Sequence, residues 1–365
     1  MKTQPLFTSG NIGKVALKNR LAVAPMTRVT ASEEGIAGDR MQAYYADFAR
    51  GGFGLTISEG IYIDRKWSQT YAFQAGLTSA EQAAGWRNVT DAVHQQDGRI
   101  FAQIQHSGAL SQGNYFLNGS VAPSAVRPTG KQMTFYRGEG EYPVPRELSD
   151  AEIQDIISSF ADAASLAVFD AGFDGVEIHG ANGYLLDQFL TDYTNQRTDR
   201  WGGNIADRLQ LSLAVIQAVR ERVGQEIPVG IRTSQGKVND FFHKWARGEE
   251  DASGVFTLLA QSGIDYLHLT EFEAWQPAFP GNPLSLVELA RKYAPQLTIM
   301  ANGSLHDTSR ARQVMDMGAD FIALGRGALA NHDWPKRIAA GEAGREFDSA
   351  ILGPIADIKD SELPL

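Results

Sequence analysis

Between Phe173 and Gly203 the chain reads FDGVEIHGANGYLLDQFLTDYTNQRTDRWGG, and three of its residues carry groups suited to catalysis: His179, Asn182 and Tyr184. An imidazole, a carboxamide and a phenol offer three different hydrogen-bonding groups in one short stretch. The GVEI ahead of them reads as a buried strand, and the polar break begins at His179. All three therefore stand at one strand's end. His179 and Asn182 are spaced to aim donors at a single oxygen while Tyr184 offers a proton nearby, which suits polarising a substrate and then protonating it. Taken singly, each has an ordinary reading. A lone strand-end His is usually structural, Asn182-Gly183 is a turn signal, and a lone Tyr packs half-buried with its hydroxyl at the surface. Their joint occurrence carries the functional reading.

The elements that must position this cluster follow from the rest of the chain. Eight short β-rich runs stand at Leu21–Ala24, Gly54–Ser58, Ile100–Gln103, Gly175–Ile178, Val229–Ile231, Tyr266–Leu269, Thr298–Ala301 and Phe321–Leu324. Each is mostly apolar on both faces, as buried parallel strands are. Helical segments alternate with them: Asp39–Arg50, a segment ending at Gln96, one opened by Ser149, Leu185–Leu190, one ending near Val223, Asp251–Ser262, Leu284–Tyr293, Thr308–Met317 and Trp334–Ala340. Thr78 with Glu81 and Ser149 with Glu152 read as capping boxes, and Asn204 reads as a further cap. Strict alternation without a linker predicts an α/β fold of the (β/α)8 TIM barrel type, with residues 1–365 as a single domain. Only residues 110–146, rich in Gly, Pro, Asn and Ser, break the pattern; they read as a loop or hairpin excursion, or a lid, between strands three and four.

In such a barrel the C-terminal ends of all eight strands face one site. Pro25, Met26 and Thr27 follow strand one, Glu59 and Gly60 strand two, Gln103 ends strand three and Arg232 strand five. Asn302-Gly303-Ser304 follows strand seven and Gly325-Arg326-Gly327 strand eight. The last two loops form the usual phosphate site of this fold, where Gly lets backbone amides approach an anion. A phosphorylated ligand whose ring lies near Arg232, Gln103 and Thr27 would meet hydrogen-bonding groups at a pyrimidine-like edge and a cation where negative charge accumulates. A reduced flavin fits that description.

These stretches carry a resemblance. HGANGYLLDQFLTDYTNQRTDRWGG is similar to the H-x-x-N-G-Y-L and N-x-R-T-D-x-[YW]-G-G motifs of the Old Yellow Enzyme family of FMN-dependent ene-reductases. NRLAVAPMTR, APSA at Ala122–Ala125, PRELS at Pro145–Ser149, VGIR at Val229–Arg232 and ALGRGALANHDWP match it in order. The resemblance implies that Pro25, Met26, Thr27, Gly60, Gln103, Arg232, Asn302, Gly303, Gly325 and Arg326 hold a tightly bound, non-covalent FMN. It implies that His179 and Asn182 bind the substrate oxygen and Tyr184 protonates the α-carbon. The activity implied is ping-pong: NAD(P)H reduces FMN, and an activated alkene (enone, enal, maleimide or nitroalkene) is then reduced. Thr27 matches the family branch with Thr, not Cys, at this position. Departures fall at Gln105, where the family often has an aromatic or apolar pocket residue, at Gly327, and in the tail AILGPIADIKDSELPL, which lacks an aromatic segment.

Composition narrows the alternatives. The chain has 365 residues, a formal net charge of -10 and no basic run, so nucleic acid and anionic lipid are not expected as partners. Zero cysteines exclude disulfides, thiolate nucleophiles and Cys-ligated metal. No apolar run approaches a membrane span and MKTQPLFTSGNIGKVALKNR lacks a signal-peptide pattern, so a cytoplasmic protein is expected. Two rival readings remain open. A barrel aldolase or isomerase acting on a phosphorylated metabolite would want a buried Lys or paired carboxylates at strand ends; no expected strand ends in Lys, and Lys237 reads as solvated. A trio of His268, Glu271 and Glu273 is of the kind that ligates metal, but a structural role is expected and no metal site is assigned. The other rival is a non-catalytic flavin-binding protein.

Overall fold

In the computed structural model, which describes residues 5–364, the eight runs form parallel strands that close on one another. Residues 1–4 and 365 of the expected 1–365 span lie outside the described residues. The strands are β1 (Leu21–Val23), β2 (Leu55–Ile57), β3 (Arg99–Gln105), β4 (Gly175–Asn182), β5 (Val229–Lys237), β6 (Tyr266–Thr270), β7 (Thr298–Asn302) and β8 (Phe321–Leu324). Neighbours pair in sequence order, β8 pairs with β1, and every pairing is parallel, giving a (β/α)8 TIM barrel. The fold expected from the alternation is the fold found. Five strands run further than their apolar cores: β3 to Gln105, β4 to Asn182, β5 to Lys237, β6 to Thr270 and β7 to Asn302.

Period-two alternation sorts the side chains. Val176, Ile178, Ile100, Ala102 and Ile104 point outward into the core shared with the helices. Ala22, Leu55, Ile57, Phe101, Tyr266, Met300, Phe321 and Ala323 form a separate cluster inside the barrel. An antiparallel hairpin, Gly10–Ile12 with Val15–Leu17, adds Ile12 and Leu17 to that cluster and so plugs one end. Sequence reasoning did not foresee this plug. Its signal was the two-residue Gly13-Lys14 connection between apolar runs, with Gly13 at φ +53°.

The helices are α1 (Asp39–Arg50), α2 (Ala80–His94), α3 (Asp150–Ser165), α4 (Leu185–Leu190), α5 (Ile205–Val223), α6 (Glu249–Ala260), α7 (Leu286–Tyr293), α8 (Thr308–Asp316), α9 (Arg326–Ala330) and α10 (Trp334–Ala339). Ser149 and Glu152 complete both halves of the expected capping box, and Asn204 accepts the Ala206 and Asp207 amides. The other expected box does not form: Ser79, not Thr78, caps α2 by accepting from the Gln82 amide, with no reciprocal side-chain bond. Thr78 instead donates both its amide and its hydroxyl to the Gln82 carboxamide oxygen. A box at Ser285 and Glu288 opens α7, and the GRGALA stretch forms the short α9.

Residues 110–146 contain a parallel two-residue pairing, Val121–Ala122 with Arg146–Glu147, and one antiparallel bridge between Lys131 and Glu141. A short 3-10 turn, Thr134–Tyr136, lies at the barrel mouth, where the Tyr136 hydroxyl donates to the Thr27 carbonyl at 2.9 Å. The C-terminal tail supports this turn from outside: the Ala356 amide donates to the Phe135 carbonyl, and Arg28 forms a buried ion pair with Glu362. Among the described residues no helix is long and apolar enough to cross a membrane.

Candidate active site

His179, Asn182 and Tyr184 come together at the C-terminal end of β4. His179 points into the barrel, 3% exposed, with Arg232 as its neighbour in register on β5. The Ala181 amide donates to its Nδ1 at 3.2 Å, so Nδ1 carries the lone pair and Nε2 the proton. Burial, then the charges of Arg232 and His268, hold the imidazole well below its ordinary range. His179 is therefore a neutral donor, suited to polarising an oxygen without giving up its proton.

Asn182 and Gly183 form the turn their sequence announced, at φ +61° and +87°, a left-handed conformation that Asn tolerates and Gly adopts freely. The Asn182 amide donates to Ser234 Oγ at 2.8 Å and the Gly183 amide to Asp187 Oδ2 at 2.7 Å. That turn aims Tyr184 back across the site, with its ring edge-on to His179 at 4.9 Å between centroids. The Tyr184 hydroxyl is 2.6 Å from the Tyr71 hydroxyl, and Tyr71 stacks on Tyr136 at 4.3 Å. Burial pushes Tyr184 up to about 12, against the lowering effects of Tyr71 and Arg232. It keeps its proton across the physiological range. Tyr71 and Tyr136 were not singled out from the sequence, since nothing local links positions so far apart.

The expected cofactor residues line the same mouth. Arg232 is buried; its Nη2 donates to Asn302 Oδ1 at 2.9 Å and to Thr270 Oγ1 at 3.2 Å. Asn302 in turn donates to the Ala323 carbonyl on β8, so β5, β6, β7 and β8 are tied across the barrel top. Pro25, Met26 and Thr27 are half-buried after β1. A Cβ built on Gly325 would meet only Met26 Sδ, at 3.7 Å, so the backbone at the start of α9 faces open space beside the end of β1. Gly60 is packed against Gln105, and Gly303, at φ +147°, lies against the Glu271 backbone. Gln103 is buried with its Nε2 given to Glu177. Arg326 is exposed, and its guanidinium lies over the Phe272 ring at 5.7 Å.

Two sequence expectations need correction or completion. Lys237 is not solvated: β5 extends to include it, and it is 3% exposed, with Nζ 2.8 Å from both Asp187 Oδ2 and Thr191 Oγ1. The loop reading failed because the polar run TSQGK continues the strand, its Gln235 bonded to the Ala278 carbonyl and the Trp245 amide and its Lys237 to Asp187 of α4. A buried strand-end lysine was the feature an aldolase would want, but this amine is bonded to Asp187 and Thr191 and holds the Gly183 turn through Asp187. His268 pairs with Glu177 instead of Glu271 or Glu273, and among the described residues no cluster of metal-ligating side chains occurs. Gln105, the first departure from the family pattern, is buried and gives its Nε2 to Thr70 Oγ1 at 2.7 Å. Gly327 is required by packing, since a side chain there would meet His306.

Comparison with known proteins now bears on this geometry. The model of the NADH:flavin oxidoreductase / NADH oxidase family matches residues 5–344. The solved old yellow enzyme homologue of Zymomonas mobilis is 30% identical, superimposes with a TM-score of 0.88, and the match covers 99% of each chain. The chain belongs to the Old Yellow Enzyme family. A protein of Leishmania infantum described as a probable flavin mononucleotide-dependent alkene reductase is 36% identical over 358 residues, covering 96% of this chain and 93% of that one. The NADH oxidase of Thermoanaerobacter brockii is 32% identical over 92% of this chain, which spans 51% of that longer protein. As an Old Yellow Enzyme, this chain is an FMN oxidoreductase. Its own residues fit that cofactor: Arg232 Nε is buried without a partner, and the backbone at Gly325 leaves room beside it for an anion.

Proposed function

We propose that this Old Yellow Enzyme reduces activated C=C bonds (enones, enals, maleimides and nitroalkenes) with NAD(P)H in a ping-pong cycle. One observation carries the reading: a neutral Nε2–H donor on His179 and a protonated phenol on Tyr184 converge on one space, with ring centroids 4.9 Å apart. A donor that binds oxygen and an acid beside it are what conjugate reduction of an activated alkene requires.

In this reading Pro25, Met26, Thr27, Gly60, Gln103, Arg232, Asn302, Gly303, Gly325 and Arg326 hold FMN without a covalent bond. Arg326 supplies the positive charge for the FMN phosphate. The cofactor supplies hydride exchange between NAD(P)H and the alkene. His179 and Asn182 bind the carbonyl or nitro oxygen of the substrate, and their hydrogen bonds strengthen as negative charge gathers there. Tyr184 holds its proton until the α-carbon accepts it. Tyr71 anchors the Tyr184 hydroxyl, and the 110–146 excursion covers that side of the pocket through Tyr136.

The test is a phenol titration. Phenols stack on the flavin of such enzymes when their oxygen is bound, giving a long-wavelength charge-transfer band. Wild type should show the band, and the His179→Ala/Asn182→Ala variant, loaded with FMN, should not. A band of equal strength in the variant removes the pair from the substrate site.

A further inference from the structure

Behind Gln103 lies a buried polar cluster, and the reading above uses none of its other members. Glu177 stands two residues before His179 on β4 and so faces the same interior, fully buried. Its carboxylate accepts from Gln103 Nε2 at 2.8 Å on β3, and from Tyr266 Oη at 3.1 Å and His268 Nδ1 at 2.8 Å on β6. Burial by itself raises a carboxyl, but His268, Arg232 and Gln103 outweigh it here and hold Glu177 below its ordinary value. Three donors converge on it, a shell that suits the carboxylate form.

Two consequences follow from its neighbours. A carboxylate accepts and cannot donate, so it must face the amide nitrogen of Gln103, which leaves the Gln103 carbonyl oxygen as the acceptor turned elsewhere. A flavin's pyrimidine edge carries an N–H between two carbonyls, and that acceptor suits it. Arg232, meanwhile, has only neutral partners in Thr270 and Asn302. His268, the register neighbour of Arg232 on β6, is hydrogen-bonded to Glu177, and among the acids it is Glu177 whose charge supports the guanidinium most.

We propose that Glu177 is a positioning residue for the cofactor: it fixes the Gln103 amide and acts as the remote counter-charge that limits how strongly Arg232 favours the reduced ring. This rests on the functional reading above. Hydride transfer from NAD(P)H brings two electrons and one proton, so the ring gains one negative charge beside Arg232. Glu177 opposes that charge across the same low-dielectric interior. Without its charge, Arg232 favours the reduced ring more.

The experiment compares FMN-loaded wild type with Glu177→Gln by equilibration against a reference dye. Glu177→Gln keeps the shape, and its amide can still engage Gln103 and His268. The variant should favour reduced over oxidised FMN at least tenfold more than wild type, a rise of about 30 mV for a two-electron couple. Glu177→Asp, which keeps the charge, should stay near wild type. Should Glu177→Gln fail to fold, Glu177→Met/Tyr266→Phe/His268→Leu removes the acid and two of its three donors with apolar groups of similar size, and the same rise is read there. An unchanged potential in whichever uncharged variant folds makes Glu177 a structural residue and leaves the ene-reductase reading intact. A wild-type chain that takes up no FMN overturns both.

Discussion

At the scale of single residues, Tyr184 is where burial and chemistry meet. Its acid form persists to about 12, two units above the ordinary phenol, because burial penalises the phenolate more than Tyr71 and Arg232 help it. The sign is clear: a raised phenol holds its proton through pH 10, so product protonation should show no alkaline limb there. Tyr184→Phe removes the proton and keeps the ring, and enone-driven reoxidation should slow by about 10²–10⁴ while reduction by NAD(P)H survives. A nitroalkene is an internal control, because its nitronate can leave unprotonated, and hydride transfer to it should lose little. Stopped-flow traces with equal losses for both substrates would make Tyr184 a shaping residue. Tyr184 was legible in the sequence because it shares one turn with His179 and Asn182. Tyr71, 113 residues away at the other end of its 2.6 Å hydrogen bond, was not, since no local pattern encodes a tertiary contact. Glu177 lay between: a carboxylate inside the apolar GVEI run has to find buried donors, and that anomaly was available to be read.

Among the elements, the strand-to-turn unit from β4 through α4 depends on the buried Lys237–Asp187 pair. Lys237→Ala strands the Asp187 carboxylate, which also accepts the Gly183 amide, and breaking a buried pair in this way costs about 3–5 kcal/mol. Thermal denaturation should show that loss, and phenol affinity should fall with it because the Asn182 turn loosens. A variant that melts like wild type would mean the pair is not the clamp. Strand and helix identities were readable here because apolar runs and caps are local signals; even the displaced cap at Ser79 lies one residue from its expected place. The extension of β5 to Lys237 was hidden because TSQGK looks like a loop until its distant partners Ala278, Trp245 and Asp187 are in place.

For the whole molecule, strict alternation of eight apolar runs with helices was sufficient to specify the barrel, since a right-handed crossover between parallel strands leaves few other closures. The N-terminal plug and the tail were not readable at that level. Ile12 and Leu17 pack on an interior that exists only after closure, and Arg28 meets Glu362 across almost the whole chain. Closure also brings His179, Arg232 and the Gly325 backbone to one mouth, and the proposed reductase activity rests on that convergence. The most direct test is an anaerobic titration of the purified protein followed in the visible spectrum. It should be yellow, bleach on addition of NADPH or NADH, and regain its colour on addition of 2-cyclohexenone, with the saturated ketone formed in equal amount. A colourless protein that takes up no FMN, or a yellow one that bleaches and then stays bleached with every enone, maleimide and nitroalkene offered, would contradict it.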